Sequence, residues 1–590
     1  MNILSIYWSI CSGAAIYSNG KIVAALHEER FTRRKNDDAF PANAIIEVLK
    51  LADLKANDLD LVGVASHSQD HFHQLTRPGL WSIQDYLKEQ ELYWKPTLIE
   101  GSEVDYKEVM AEKVDSAQYP PEYWKDSSKG NDTYGDDRRK ILASFLGIPL
   151  GKVHTVEHHE AHAFYSFFGS SFLGEKTLCL TIDAHGDGKN ATIGIFDEEG
   201  NYERKWSTDQ CPLARYYRYA TLILGMKPNE HEYKLMGLAP YGKEQFGLSA
   251  LNHYRNTMEV DGLDFKWKER PKDSYFWFRE KFIGERFDNI AWAIQTFVEE
   301  SLEEWTLNAI REFGIGRIVF SGGVSLNVKA MGRIARRPEV DDLFIMGSAG
   351  DESLCIGSCL NLARKNQLPL STESLEGLYL GTEPTQSEVE TAIEESSNPS
   401  FEVETDPTPS RIAWLLSTGL IIARCVGAME FGQRALGNRS ILADPAKERT
   451  KERINQAIKN RDFWMPFAPV VLDTFEKRYL KKRTPAVSPH MTLAFETTEE
   501  GYEAMPAACH PSDKSARAQI LCKKDNPQLY ELLMAFAEIT GRGALLNTSF
   551  NLHGFPIVRT AREAVQVLEK SSLDGVLFEK KLLLRKARDA

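Results

Sequence analysis

"TLCLTIDAHGDGKNATIGIFDEEGNYERK", residues 177–205, is the stretch on which the fold turns. It reads as an apolar strand (177–183), a Gly-rich turn (184–190) and a hairpin whose arms are split by an acidic-Gly turn. The same order stands at the N-terminus. "ILSIYW" (3–8) is strand-like, "SICSGAA" (9–15) is a small-residue turn, and "AAIYSNGKIVAAL" (14–26) is a hairpin about Asn19 and Gly20. Two copies of strand, tight turn and hairpin, each followed by helical sequence, predict a duplicated α/β unit with a nucleotide cleft between its halves.

Working outward, 590 residues are too many for one core and predict two to four domains. The 71 basic and 84 acidic side chains leave a formal charge of -13, which argues against a broad phosphate-backbone surface and a nucleic-acid partner, but not against a local basic pocket. Eight cysteines are scattered without CxxC pairs, and Cys355 and Cys359 sit in an apolar run that reads as helix core, so a reduced chain is expected. No stretch is long and apolar enough to cross a membrane, and "MNILSIYWSI" reads as a buried strand rather than a leader. The expectation is a cytoplasmic protein with no membrane partner.

"VEHHEAHAFYS" (156–166) precedes the opening stretch. On a helix, His158 and His162 are four apart and project from one face, a geometry suited to gripping a divalent metal; a surface helix end is the other reading. Asp351, in "FIMGSAGDESLCIGSCL", sits between a strand and a small-residue helix, where it either caps the helix or joins His158, His162 and Asp183 as a fourth ligand. Two imidazoles and two carboxylates suit Fe2+, Mn2+ or Zn2+ better than a thiolate-preferring metal. In "RIVFSGGVSLN", Gly322 and Gly323 allow backbone to approach a ligand, and Asn327 has an amide to offer a ribose or base. The stretch from about 66 to 137, rich in Trp, Tyr, Lys and Glu, fits neither repeat and reads as an insertion over the cleft.

The C-terminal part has its own signal. "RIAWLLSTGLIIARCVGAMEFGQRALGNRSIL" runs helix, strand, then a turn carrying Arg434, Asn438, Arg439 and Ser440. Lys459, Arg461 and Arg517 follow, then the polar cluster Asn547, Thr548, Ser549 and Asn551. Guanidiniums embedded in Gly, Phe and Pro within a net acidic chain predict a pocket for phosphate or carboxylate.

The plan of the repeats is that of actin-like ATPase folds, and the motifs narrow the resemblance. "EERFTRRK" (28–35), "HHEAHA" (158–163), "EYKLMGLAPYG" (232–242), "SGGVSLN" (321–327), "GDE" (350–352), "MEFGQRALGNRSILADP" (429–445), "KNRDFWMPFAP" (459–469), "SARAQ" (515–519) and "LLNTSFNLHGFPIV" (545–558) follow one another as in the NodU/CmcH family of ATP-dependent O-carbamoyltransferases, which the chain resembles over nearly its whole length. The resemblance implies a TsaD-like domain of the ASKHA class over residues 1–365 and a YrdC-like α/β domain over 366–590. It implies that the second domain makes carbamoyl-adenylate from carbamoyl phosphate and ATP, with Mg2+. Arg434, Asn438, Arg439, Ser440, Lys459, Arg461, Arg517 and the 547–551 cluster would bind there. The first domain would then transfer the carbamoyl group to a small hydroxylated acceptor, a sugar, antibiotic or other secondary metabolite. Its metal, Fe2+ by preference, would be held by His158, His162, Asp183 and Asp351. Glu232, Lys234, Gly322, Gly323 and Asn327 would cradle adenosine, while Lys35 and Arg30 would lie near the acyl phosphate.

Two departures stand out. The family commonly has a His-Asp pair after the first strand, where this chain has Ser9, Ile10 and Cys11; His185 or His159 would then serve as base, or no protein base is needed. The arginine often found before "PFAP" is Met465 here. Two other readings remain: a threonylcarbamoyl-type transferase acting on tRNA, and a catalytically reduced nucleotide-binding regulator. The sequence leaves a homodimer open.

Overall fold

A computed structural model describes residues 1–68, 71–114, 131–371, 375, 377–396, 398–459, 461–483 and 485–586. Residues 115–130 of the expected insertion therefore lie outside the described residues.

The N-terminal copy forms a five-stranded sheet, β1 (Ile3–Tyr7), β2 (Gly13–Ser18), β3 (Lys21–His27), β4 (Leu61–Ala65) and β5 (Val153–Val156), in the order β3-β2-β1-β4-β5. β1 pairs antiparallel with β2 and parallel with β4. The tight β2–β3 turn falls at Asn19 (φ 52°) and Gly20 (φ 84°), both left-handed, as a two-residue hairpin connection requires. The second copy repeats the order. β6 (Thr177–Gly186), β7 (Lys189–Phe196) and β8 (Tyr202–Thr208) form the antiparallel side, and β11 (Arg317–Ser321) and β12 (Asp342–Phe344) add parallel strands beyond β6, giving β12-β11-β6-β7-β8. A separate ribbon pairs β9 (Met258–Asp261) with β10 (Asp264–Trp267). The Gly-rich stretch after residue 183 is shorter as a turn than its sequence suggests, because β6 continues to Gly186.

Several helices frame the space between these sheets: α1 (Asn131–Leu146), α2 (His158–Phe168), α3 (Glu232–Leu238), α4 (Phe287–Phe313), α5 (Val328–Ile334) and α6 (Leu354–Lys365). α2 and α6, the latter through Cys355 and Cys359, lie in one apolar cluster with residues of both sheets, including Ile3, Cys179 and Val319. They cross so closely that a Cβ built on Gly357 would stand 1.9 Å from the Ala161 carbonyl oxygen, so only glycine fits there.

The C-terminal part is an eight-stranded mixed sheet, in the order β13-β23-β22-β14-β15-β21-β16-β20. Its strands are β13 (Phe401–Thr405), β14 (Ile422–Cys425), β15 (Arg439–Ala443), β16 (Ala468–Leu472), β20 (Gln519–Leu521), β21 (Ala544–Ser549), β22 (Gly575–Leu577) and β23 (Lys581–Arg585). A three-stranded sheet of β17 (Leu480–Lys481), β18 (Phe495–Thr497) and β19 (Ser515–Ala516) joins it to the second repeat, and Tyr479, Leu480 and Phe495 share a core with Leu178 and Phe320. The two parts are thus packed together rather than strung on a linker. Among the described residues no helix is long and apolar enough to cross a membrane.

Candidate active site

The parallel strands of both five-stranded sheets end at one place. β1 ends at Tyr7, β4 leads into Ser66, β5 leads into His158, β6 carries Asp183 near its end, and β11 ends at Ser321. Ligands commonly bind beyond the carboxyl ends of such strands, and here a cluster of four potential metal ligands occupies that position.

His158, His162, Asp183 and Asp351 present ligand atoms that all lie within 4.8 Å of one another. His162 Nε2 stands 3.5 Å from Asp183 Oδ2 and 3.4 Å from Asp351 Oδ1, and His158 Nε2 is 3.5 Å from the same Asp351 oxygen. Both Nε2 atoms and Asp351 Oδ1 are buried without a hydrogen-bond partner. Three orphaned, electron-rich atoms converging on one point are what a cation would satisfy, so these residues fit a divalent metal. Both carboxylates are held in place. Tyr7 donates to Asp351 Oδ2 at 2.6 Å, and the Gly323 N–H donates to Asp183 Oδ2 at 2.7 Å. Burial alone would push His162 down, but the carboxylates of Asp183 and Asp351 outweigh it and hold the imidazole up to about 9. Burial acts on Asp183 in the opposite direction, and the two histidines hold it well below the usual carboxylate range. Without metal, the pair of carboxylates thus attracts a proton onto the imidazole between them.

A second site lies between the two parts of the chain, a cavity of about 240 Å³. The first part contributes Arg30, Lys35, Tyr233 and Lys234, and the second Arg434, Lys459, Arg461 and Arg517. The first set is neutralised: Arg30 pairs with Glu29 (2.8 Å), Lys35 with Glu230 (2.7 Å), and Lys234 with Asp462 (3.0 Å) across the cavity. No carboxylate within salt-bridge distance faces any of the second set among the described residues. Lys459 Nζ donates instead to the Ser549 carbonyl (2.5 Å) and to Asn551 Oδ1 (2.6 Å), and Arg461 to the Pro466 carbonyl (3.1 Å) and Thr548 Oγ1 (3.2 Å). Burial pushes Lys459 down, helped by Arg461 and Lys35; it lowers Arg461 to about 10 and depresses Arg517, on which Arg434 and Arg461 also act. Such crowding of unpaired cations favours an anion strongly.

The N-terminal region of carbamoyltransferases matches residues 3–360, and the C-terminal region of carbamoyltransferases matches 413–586. The chain belongs to the carbamoyltransferase family. An uncharacterized protein of Methanocaldococcus jannaschii is 32% identical over 459 residues, covering 73% of each chain. Nodulation protein NolNO of Sinorhizobium fredii is 26% identical over 586 residues, covering 97% of this chain and 78% of its own. Among solved structures, full-length HypF in its phosphate- and nucleotide-bound form aligns over 62% of this chain and 55% of its own at 13% identity and a TM-score of 0.35, too distant to bear on the site.

Within this carbamoyltransferase, the residues singled out in the sequence divide. Lys35, Arg30, Lys234, Arg434, Lys459, Arg461, Arg517, Ser549 and Asn551 line the cavity. Asn438, Arg439 and Ser440 of the expected turn do not, nor do Asn547 and Thr548 of the expected polar cluster, so the structure places these five outside its lining. Arg439 and Ser440 open the buried strand β15. Arg439 spends its guanidinium on the carbonyls of Val426 (2.7 Å), Thr382 (3.0 Å) and their neighbours, bracing the loop that carries Arg434. Asn438 and Asn547 likewise bond to loop carbonyls of Ala428 and Ala435, and Thr548 orients Arg461. Arg30 reaches the Gly432 carbonyl at 2.6 Å, so it fastens the same loop from the other part of the chain.

The adenosine set divides too. Gly322 (φ 92°) packs where a Cβ would stand 2.2 Å from the Ile182 carbonyl oxygen, bringing Gly323 beside Asp183. Asn327 caps α5 through the Ala330 N–H (3.1 Å) and exchanges hydrogen bonds with Gln295, so its amide is committed to the protein. Glu232 is not on the cavity wall; it accepts from the Asn229 N–H (2.7 Å), and burial raises it to about 7. His185 is exposed on β6, two residues beyond Asp183. His159 is buried with Nδ1 on Thr181 Oγ1 (2.7 Å). Cys11, which stands where the sequence resemblance leads one to expect a His-Asp pair, is buried, donates to Asn36 Oδ1 (3.4 Å), and burial pushes its thiol up. Met465, in place of the family's arginine, lies against Gly237, where a Cβ would stand 2.7 Å from its sulfur. Tyr7, Ser66 and Ser321 went unnoticed in the sequence, since single hydroxyl residues at strand ends carry no spacing signal.

Proposed function

We propose that the protein is an ATP-dependent O-carbamoyltransferase working in two steps. In the interdomain cavity water would cleave carbamoyl phosphate to carbamate and phosphate, and a carbamate oxygen would then bond to the α-phosphorus of ATP as its bond to pyrophosphate breaks, giving carbamoyl-adenylate. The carbamoyl carbon would then bond to a hydroxyl oxygen of a sugar, antibiotic or other secondary metabolite as its bond to AMP breaks. The duplicated sheets would be an actin-like, TsaD-type unit within residues 1–365, and the eight-stranded sheet the core of a YrdC-like unit within 366–590.

The observation that carries this reading is the uncompensated charge of Arg434, Lys459, Arg461 and Arg517, which suits a polyanion such as ATP with an acyl phosphate. Lys35 would exchange Glu230 for substrate phosphate, and Lys234 would exchange Asp462. A divalent metal, Fe2+ best with Mn2+ or Zn2+ compatible, supplies Lewis-acid polarisation of the carbamoyl carbonyl when bound. His158, His162, Asp183 and Asp351 would hold it, with Tyr7 and the Gly323 N–H keeping the two carboxylates turned inward. His185 is the histidine to test for receiving the acceptor's proton.

A second reading, a nucleotide-binding regulator with reduced catalysis, draws on Cys11, whose buried and raised thiol is no base. Incubation with ATP, carbamoyl phosphate and Mg2+ separates the two. Pyrophosphate release that depends on carbamoyl phosphate is expected; nucleotide binding without pyrophosphate would replace the first reading with the second.

A further inference from the structure

Both histidines of the quartet meet a serine through the nitrogen that faces away from it. Ser66 Oγ lies 2.9 Å from His158 Nδ1, and Ser321 Oγ lies 3.4 Å from His162 Nδ1. Both serines are buried, at 1% and 0% exposure. Ser321 Oγ donates its own proton to the Ala349 carbonyl at 3.3 Å, so toward His162 it can only accept. An Nδ1–H donated outward leaves the Nε2 lone pair pointing inward, and both Nε2 atoms are the orphaned ones.

We propose that Ser66 and Ser321 are positioning residues of the metal site, each accepting the Nδ1 proton of its histidine and so fixing the tautomer and ring orientation that aim Nε2 at the metal. The proposal rests on the metal reading of the quartet. Ser66 carries the larger share, because its contact is shorter and its own place is more tightly fixed. It is the first residue of the insertion, and the buried Arg138 of α1, where the insertion returns, donates to the Ser66 carbonyl at 2.7 Å. Asp187 binds the same neck to the start of α2: its carboxylate accepts from the N–H groups of His67 (3.0 Å), Ser68 (2.7 Å) and His158 (2.8 Å). His158 is therefore aimed by the root of the insertion, and His162 by the end of β11.

The test titrates the metal-free full-length protein with Mn2+ by calorimetry and records thermal melting of each variant without metal. Ser66→Ala is expected to weaken Mn2+ binding about ten- to hundredfold. Ser321→Ala should weaken it less, and Ser66→Thr, which keeps the hydroxyl, should recover most of the affinity, all with melting near that of the parent protein. Unchanged affinity in both alanine variants, or a loss in Ser66→Thr equal to that in Ser66→Ala, overturns the positioning role. If Ser66→Ala does not fold, Ser321→Ala decides alone: weaker binding supports the role and unchanged binding overturns it. A parent protein that binds neither Mn2+, Fe2+ nor Zn2+ overturns the metal reading instead.

Discussion

The His-Asp quartet and the interdomain cavity both gather polar groups that lack a partner, and they suit ligands of opposite sign. At the quartet, Asp183 and Asp351 face two imidazoles whose Nε2 atoms have no partner. In the cavity, four cations of the C-terminal part face no carboxylate within salt-bridge distance among the described residues, while the cations opposite them are each paired with one. Desolvated charge without a counter-charge is costly, so a fold that keeps it is built around something absent from the chain itself. The sign then names the class of ligand: a cation at the first site, an anion at the second. The neutralised lysines show what ordinary structural pairing looks like on the same wall.

The largest effect should come from breaking the quartet. His162→Ala is expected to abolish both stoichiometric metal and transfer to acceptor while leaving pyrophosphate release within about twofold of the parent, because the two sites are separate. Metal analysis with parallel assays of the two steps checks this, and a matching loss of pyrophosphate release would merge the sites. Next in size, Arg434→Ala or Arg517→Ala should raise the carbamoyl phosphate requirement about ten- to hundredfold, corresponding to about 1.5–3 kcal/mol for a charge-assisted contact. Lys35→Met should cost less, about threefold in the same measurement, since Glu230 keeps its second partner Lys227 at 2.8 Å. An effect as large as that of Arg434→Ala would mean that pairing does not distinguish the two walls.

The smallest effect concerns acid stability. Burial would raise Glu230, but Lys35 and Lys227 overcome it and hold the carboxyl at about 2, below its ordinary 4.5. A depressed carboxyl stabilises the fold above its unfolded value, and that contribution drains away as pH falls from 4.5 toward 2. Glu230→Gln should therefore make the acid-unfolding profile shallower in that window, read by circular dichroism.

The repeats were legible because hairpin turns announce themselves: Asn19-Gly20 and the acidic-Gly turn before Asn201 fix each antiparallel side locally. His158 and His162 were legible for a similar reason, since four residues on a helix make one turn. The C-terminal cations were harder. Arg434 and Arg439 lie five apart in one Gly-rich run with identical composition around them, yet one lines the cavity and the other bonds to carbonyls inside the fold. That difference depends on where β15 begins and on the packing of Thr382 and Gly427 from elsewhere, which no local pattern encodes. Asn327 was read for its amide, but its position three residues before Ala330 makes it a helix cap, a signal that the sequence did contain.

The contact of Gly357 with Ala161 works as a calliper. α2 supplies both histidines, and α6 begins just after Asp351, so the gap between these helices helps set the span across which the two imidazoles and the Asp351 carboxylate would meet at one proposed ion. A single methyl at Gly357 would press on the backbone of Ala161, the residue before His162, without replacing any side chain of the quartet. Under the proposed metal reading, selectivity for one ionic radius over another would then be open to change without replacing any ligand, through the thickness of the seam between two helices.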